Sequence, residues 1–208
     1  MSLLYNQIAG QSLERVAALS DGVFAIAMTL IVLELRLPET AHVTSNGELA
    51  RALTSLAPAL LTYLLSFLTL GIFWTGQQTQ LVQLGHSDRN LTWMHFGFLA
   101  VTTLMPFSTR LLTEHPRLQV ALAVYWLNIA LMGLALLAAW SYASRAGLVR
   151  NPSPELDRAV RRRIVVAQGL YAVSLGLSVL GTIWGIAAFV LVQLNYAVAP
   201  RWRWLYGL

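Results

Sequence analysis

The sequence has no cysteine and no lysine, and only 11% of its 208 residues are charged. Without cysteine there is no disulfide, no thiol nucleophile and no thiolate metal site. Water-soluble chains carry about a quarter charged residues. Here 57% of residues are hydrophobic and the mean hydropathy is +0.61, the balance of a chain whose solvent is a bilayer. All fourteen basic residues are arginine. A pI near 10.1 suggests nucleic acid at first sight, but the arginines lie between apolar runs and no nucleic-acid motif accompanies them. Positive cytoplasmic loops of a membrane protein explain them more simply, so nucleic acid is not an expected partner.

Catalytic signatures are missing too. No HExxH, GxSxG or phosphate-binding loop occurs, and no TVGYG-type carbonyl filter. His42, His86, His95 and His115 lie on different segments without ligand spacing, in keeping with loop or packing histidines. Asp21 and Glu34 fall near opposite ends of one apolar run, so they make no acid/base couple. Neither an enzyme nor a cofactor is expected, and no metal site.

What the chain does have is long apolar runs, and Arg15 to Pro38 is the most informative. At ~100° per residue, Arg15, Leu19, Gly22, Ile26, Leu30, Leu33 and Leu37 form one narrow stripe of a helix. Asp21 points to nearly the opposite side, so the helix needs two different neighbours. Ala18, Gly22, Ala25 and Ala27 are small enough to let helices approach closely. Ionisable groups inside a span are costly and therefore functional candidates. Arg15 and Asp21 are off the i,i+4 register and should seek partners on other helices, with Trp74, Gln77 and His95 the first to consider. A static interhelical clamp and a gating role both fit these residues.

Six spans are expected, at about residues 13–37, 53–76, 90–112, 118–142, 161–180 and 182–199, in one all-α transmembrane domain over 1–208. Pro38 ends the first, Pro106 kinks the third, and Ser87 or Asp88 caps its start. Gly176, Gly181, Thr182 and Gly185 offer the break between the fifth and sixth. The opening MSLLYNQIAGQSLER lacks the basic region of a cleavable signal, so the first span serves as its own insertion signal. The tail PRWRW reads as an interfacial anchor. With both termini inside, the inner segments hold Arg15, Arg89, Arg145, Arg150, Arg158, Arg161 to Arg163, Arg201 and Arg203. The outer ones hold only Arg36, Arg51, Arg110 and Arg117, as the positive-inside rule requires.

The run Arg15, Leu19-Ser20-Asp21-Gly22-Val23-Phe24-Ala25-Ile26-Ala27 and Thr29-Leu30, closed by Pro38, resembles the first-helix signature of the transmembrane protein 175 family of endolysosomal potassium channels, especially its prokaryotic relatives. Phe73-Trp74 and Pro106-Phe107 fit as well. The resemblance departs at Leu19, where phenylalanine is usual, at Gln77 or Gln78 in place of a histidine, and at His95 in place of asparagine. It implies a homotetramer of six-helix subunits in a prokaryotic plasma membrane, with membrane lipids as partners, first helices lining a central potassium-permeable pore, and K+ and other monovalent cations as candidate permeating ions. By position, Ile26 would form the narrowest ring and Leu30 and Leu33 the wall outward of it. Thr29 would offer hydroxyls, and Arg15, Ser20 and Asp21 would join the first three helices in a polar network. Two other readings compete with a channel: a proton-coupled secondary transporter working through Asp21 and Arg15, and a non-conducting membrane scaffold or lipid-binding protein.

Overall fold

The structure, a computed structural model, describes residues 10, 12–37 and 44–198. Pro38, the start of the loop after it, residue 199 at the end of the expected sixth span, and the PRWRW tail lie outside the described residues. Among the described residues the regular structure is helical throughout, apart from a single antiparallel bridge between loops.

Helix α1 is Leu13–Ile31, capped by the Ser12 hydroxyl, which accepts from the Arg15 N–H at 3.3 Å. It tightens into a 3₁₀ turn, Val32–Glu34. A short helix α2 (Asn46–Ser55) follows, opened by a capping box in which Ser45 and Glu48 satisfy each other's backbone N–H groups. The Thr44 N–H donates to Glu48 at 2.8 Å and holds that exposed carboxyl below its ordinary range. The expected second span began at residue 53, but residues 53–55 complete α2. Helix α3 (Ala57–Gln83) starts after Leu56 with Pro58 in its first turn and runs past residue 76. Proline is tolerated there because first-turn N–H groups have no partner within the helix.

The third run, expected as one kinked helix, is two helices: α4 (Arg89–Thr102), capped by Asp88, and α5 (Met105–Glu114). Pro106 has no N–H to give the Thr102 carbonyl, so the ladder stops. The Thr102 and Thr103 hydroxyls turn back onto the carbonyls of Phe98 and Ala100 at 2.9 and 2.7 Å. Helix α6 (Gln119–Arg145) is the central post, packed against α4, α5 and α7 and touching α3 and α8. Helix α7 (Pro154–Leu177) begins earlier than residue 161, because Ser153 caps it. A 3₁₀ turn, Ser178–Leu180, leads to Gly181 at φ +144, and α8 (Thr182–Val198) completes the bundle.

Four helical stretches are long and apolar enough to cross a membrane: Leu13–Glu34, Ala57–Gln83, Gln119–Arg145 and Pro154–Leu180. Helix α8 is apolar but shorter. The protein is therefore an integral membrane protein. One apolar core, centred on Phe24, Phe73, Phe98, Tyr125 and Phe189, fills the middle of the bundle. A second, around Leu81, Leu91, Trp140 and Val149, closes the end where the α3–α4 and α6–α7 loops meet. Those loops are stitched together: Gly85 N–H donates to Leu148 O at 2.9 Å, and Arg150 N–H to Gln83 O at 2.8 Å.

Helix α8 approaches its neighbours closely at Gly185, where an added Cβ would meet Leu122 at 2.8 Å, Ser178 at 2.9 Å and the Ser174 carbonyl at 3.1 Å. Overpacking of this kind typically costs about 1–3 kcal/mol. Gly185→Val is expected to lower the melting temperature in detergent, whereas Gly169→Ala, with open space around it, should leave it nearly unchanged. Equal melting points for the two variants would refute the close fit.

Candidate functional site

The site is built on the two faces of α1. Residues Val16, Ser20, Phe24, Ala27 and Ile31 recur at three- and four-residue intervals and are buried against the rest of the chain. The opposite face carries the predicted stripe, and all of it is exposed: Leu19, Ile26 (61% exposed), Leu30 (43%), Leu33 (53%) and Leu37. Thr29 is exposed beside it, its hydroxyl donating to the Ile26 carbonyl at 2.8 Å. That bond uses its single proton and leaves oxygen lone pairs free. Ala18, Gly22 and Ala25 are exposed too, and nothing lies within 4 Å of a Cβ placed on Gly22.

The polar residues fasten the buried side in two groups. In the first, Gln77 on α3 donates from Nε2 to the Ser20 hydroxyl at 3.0 Å and meets Nδ1 of His95 on α4 at 3.2 Å. Ser20 passes its own proton to the Val16 carbonyl at 2.8 Å. All three side chains are buried, so this group ties three helices together where water cannot substitute for a lost partner. Gln77 Oε1 is buried without a hydrogen bond among the described residues. The second group lies nearer the surface. The Asp21 carboxylate accepts from the Trp74 indole at 2.8 Å and from Gln78 Nε2 at 3.0 Å, both on α3.

Of the residues anticipated from sequence, the structure brings together Ser20, Gln77 and His95 in one cluster and Asp21 and Trp74 in the other. Gln78 is an addition, and its position one turn after Trp74 was the available signal, since residues i and i+4 share a helix face. Arg15 stands apart. It is exposed at the start of α1, beside Val16, Leu19, Thr92 and Phe96, with no side-chain bond to another described residue. The Asp21 carboxylate bonds to Trp74 and Gln78 instead, in keeping with its off-register spacing from Arg15. Among the described residues no three His, Asp or Glu side chains converge as a metal site would require.

Asp21 holds α1 to α3 through hydrogen bonds that a neutral amide can partly reproduce. Asp21→Asn keeps an oxygen that accepts from Trp74, and Asp21→Ala keeps none. The expected outcome is near-native thermal stability for the amide and a clear loss for the alanine. Equal losses in the two variants would assign the role to the charge instead.

Comparisons with known proteins fit this geometry. The family model described as the endosomal/lysosomal potassium channel TMEM175 matches residues 15–106, a range that contains both clusters and the exposed stripe. A potassium channel of Streptomyces collinus is 34% identical over 188 residues, covering 88% of this chain and 90% of its own length. A potassium channel of Chamaesiphon minutus is 30% identical over 191 residues, with 88% and 93% covered. The crystal structure of a lysosomal potassium-selective channel TMEM175 homolog from that organism superposes with a TM-score of 0.78 at 27% identity, covering 90% of this chain and 97% of that one. The endosomal/lysosomal proton channel TMEM175 of Danio rerio matches only in part, 32% identical over 111 residues that make up 21% of its length. Identity at this level along nearly the whole chain, with the same helical arrangement, makes this protein a prokaryotic member of the TMEM175 family, a family of channels and not of enzymes.

Proposed function

We propose that this protein is a potassium-permeable cation channel in which four copies gather their α1 helices around a shared axis. The observation that carries the reading is the exposed Ile/Leu face of α1, continuous from Leu19 to Leu37, on a helix whose other face is bolted to its own subunit. Lipid would cover such a face equally well on hydropathy alone. The exposed small residues Ala18, Gly22 and Ala25 favour other helices, because they permit close backbone approach. The whole-length likeness to bacterial potassium channels supports the same choice. Each subunit then crosses the bilayer at six positions: α1, α3, α6 and α7 as single helices, the end-to-end pair α4 and α5 as the third, and α8 as the sixth. The concentration of arginine at one end supports cytoplasmic termini in a prokaryotic plasma membrane.

In this arrangement Ile26 forms the constriction, with Leu30 and Leu33 lining the wall and Thr29 offering oxygen beside it. Four isoleucines around an axis leave a dry gap, and a dry gap stops ions by denying them hydration rather than by charge. Potassium surrenders its water more readily than sodium, so a narrow and weakly coordinating passage favours potassium without a carbonyl filter. Opening requires α1 to rotate or spread. The Asp21 and Ser20–Gln77–His95 contacts link that motion to α3 and α4.

The native absence of cysteine gives a clean test. Ile26→Cys places a single thiol on the proposed axis, where mild oxidation should cross-link copies, since a disulfide needs Cβ atoms within about 3.5–4.5 Å. Val179→Cys, exposed on the 3₁₀ turn after α7, should not cross-link. Liposomes containing the wild type should release potassium faster than sodium, without saturation and without a proton gradient. A monomer that never cross-links at residue 26, in liposomes as tight as protein-free ones, would overturn the proposal; flux that requires a proton gradient would replace it with a coupled transporter.

A further inference from the structure

Away from α1, between α3, α6, α7 and α8, lies a cleft partly open to the surroundings. Its walls are apolar, from Ile72 and Phe73 on α3 to Ile164 and Ala167 on α7. Thr79 and Gln80 on α3 break them, and so do three polar features that follow one another along α7. At the mouth is Arg163, exposed, its guanidinium 5.9 Å above the Tyr196 ring, with no carboxylate partner among the described residues. Deeper is Gln168, laid across α6 where Gly133 leaves room for it, one Nε2 proton given to the Ile129 carbonyl at 3.4 Å and the other left to donate. Deepest is the Tyr171 hydroxyl, on a side chain 1% exposed, buried with no hydrogen-bond partner among the described residues. At 1.5 Å per residue it lies about 12 Å below Arg163 along α7.

A buried donor without an acceptor is costly, and a cation at the mouth of an oily slot is complementary to one kind of molecule. We propose that the cleft binds one anionic phospholipid, its phosphate on Arg163, its ester carbonyls accepting from Gln168 and Tyr171, and an acyl chain along Ile72 and Phe73. Water alone would satisfy Tyr171 but would leave the apolar walls wet. A free phosphate would satisfy Arg163 but leave the slot empty. A lipid answers all three features in the order of its own polarity, and a cationic pocket between membrane helices is where an anionic headgroup gains most. The lipid would brace α3 from behind, because Gly76 and Gln80 line the cleft while Trp74, Gln77 and Gln78 on the same helix hold α1.

The probe is phosphatidylglycerol, with phosphatidylcholine as the uncharged comparison, added to purified protein in neutral detergent and read by native mass spectrometry. Wild type should retain phosphatidylglycerol in preference, and inorganic phosphate should not displace it. Arg163→Gln should weaken retention roughly tenfold, the loss expected for one charge-assisted contact. Arg158→Gln, which removes an equal charge paired to Glu155 outside the cleft, should change nothing. Ala167→Leu, which fills the slot without touching the cation, should weaken both lipids. Should it fail to fold, the two arginine variants still decide. Equal loss in both arginine variants, or wild type that holds neither lipid, would overturn the site. Binding is read without conductance, so this result and that of the flux experiment are independent.

Discussion

Replacing Ile26 by asparagine should raise potassium flux through liposome-reconstituted protein roughly tenfold or more, and should erode the preference for potassium over sodium. The estimate needs only a small change in barrier: each 1.4 kcal/mol removed is about tenfold in rate. In the proposed ring, four amides would admit water where four isoleucines would exclude it, and the ion would keep more of its hydration on the way through. Ile26→Ala widens the gap while leaving it apolar, so its flux should rise less than with asparagine. Ile26 is 61% exposed on the single subunit, so neither change opens a cavity in the protomer, and melting temperatures should hold. Flux and selectivity unchanged in both variants would remove Ile26 from the constriction.

The second large effect is on stability. Gln77→Leu leaves the buried Ser20 hydroxyl without a donor and the buried His95 ring without its contact. Each orphaned polar group costs about 1–3 kcal/mol. At about 2–4 °C per kcal/mol for a chain of this size, the melting temperature in detergent should fall by several degrees or more. Adding Ser20→Ala and His95→Leu removes the stranded groups, and replacing every partner by apolar atoms of similar shape can be nearly neutral. The triple variant should therefore melt above the single one. A triple variant that is less stable still would mean that packing, and not the polar network, holds the three helices.

How much of this was legible beforehand follows from what acts locally. The division of α1 into a buried face and an exposed stripe is a matter of helical period, and Arg15 to Leu37 displays it without reference to anything else. A cap at Ser87 or Asp88 (Asp88 in the structure) and the parting of the last two helices near Gly181 are equally local, because a capping side chain and a glycine at positive φ act within a few residues. Pro106 announced a disturbance but not its size. Whether a proline kinks a helix or ends it depends on what neighbours satisfy the freed carbonyls, and here the hydroxyls of Thr102 and Thr103 bond backwards rather than bridging the gap. Trp74 and Gln77 could be nominated as partners because they stand in the next span, whereas Gln78 was separable from its neighbour only once the rotation of α3 was known. The cleft beneath Arg163 was not legible at all. Its wall includes Gln168 on α7 laid against Gly133 on α6, a coincidence between helices that no spacing within either one encodes.

The stitching of the α3–α4 loop to the α6–α7 loop closes the chain into a circuit, fastening its first half to its second at Gln83, Gly85, Leu148 and Arg150. A fragment ending after α5 would lose the acceptor for Gly85 and the donor for Gln83. It would also bare the side of α3 that carries the buried Ser66 and Thr69 hydroxyls, which meet Tyr125 on α6 and, at Thr69, Gln193 on α8. The half that carries the α1 stripe is thus not a freestanding module: the later helices act as its splint, and severing the chain between them should cost α3 its support before it loosens the hold of α3 on α1.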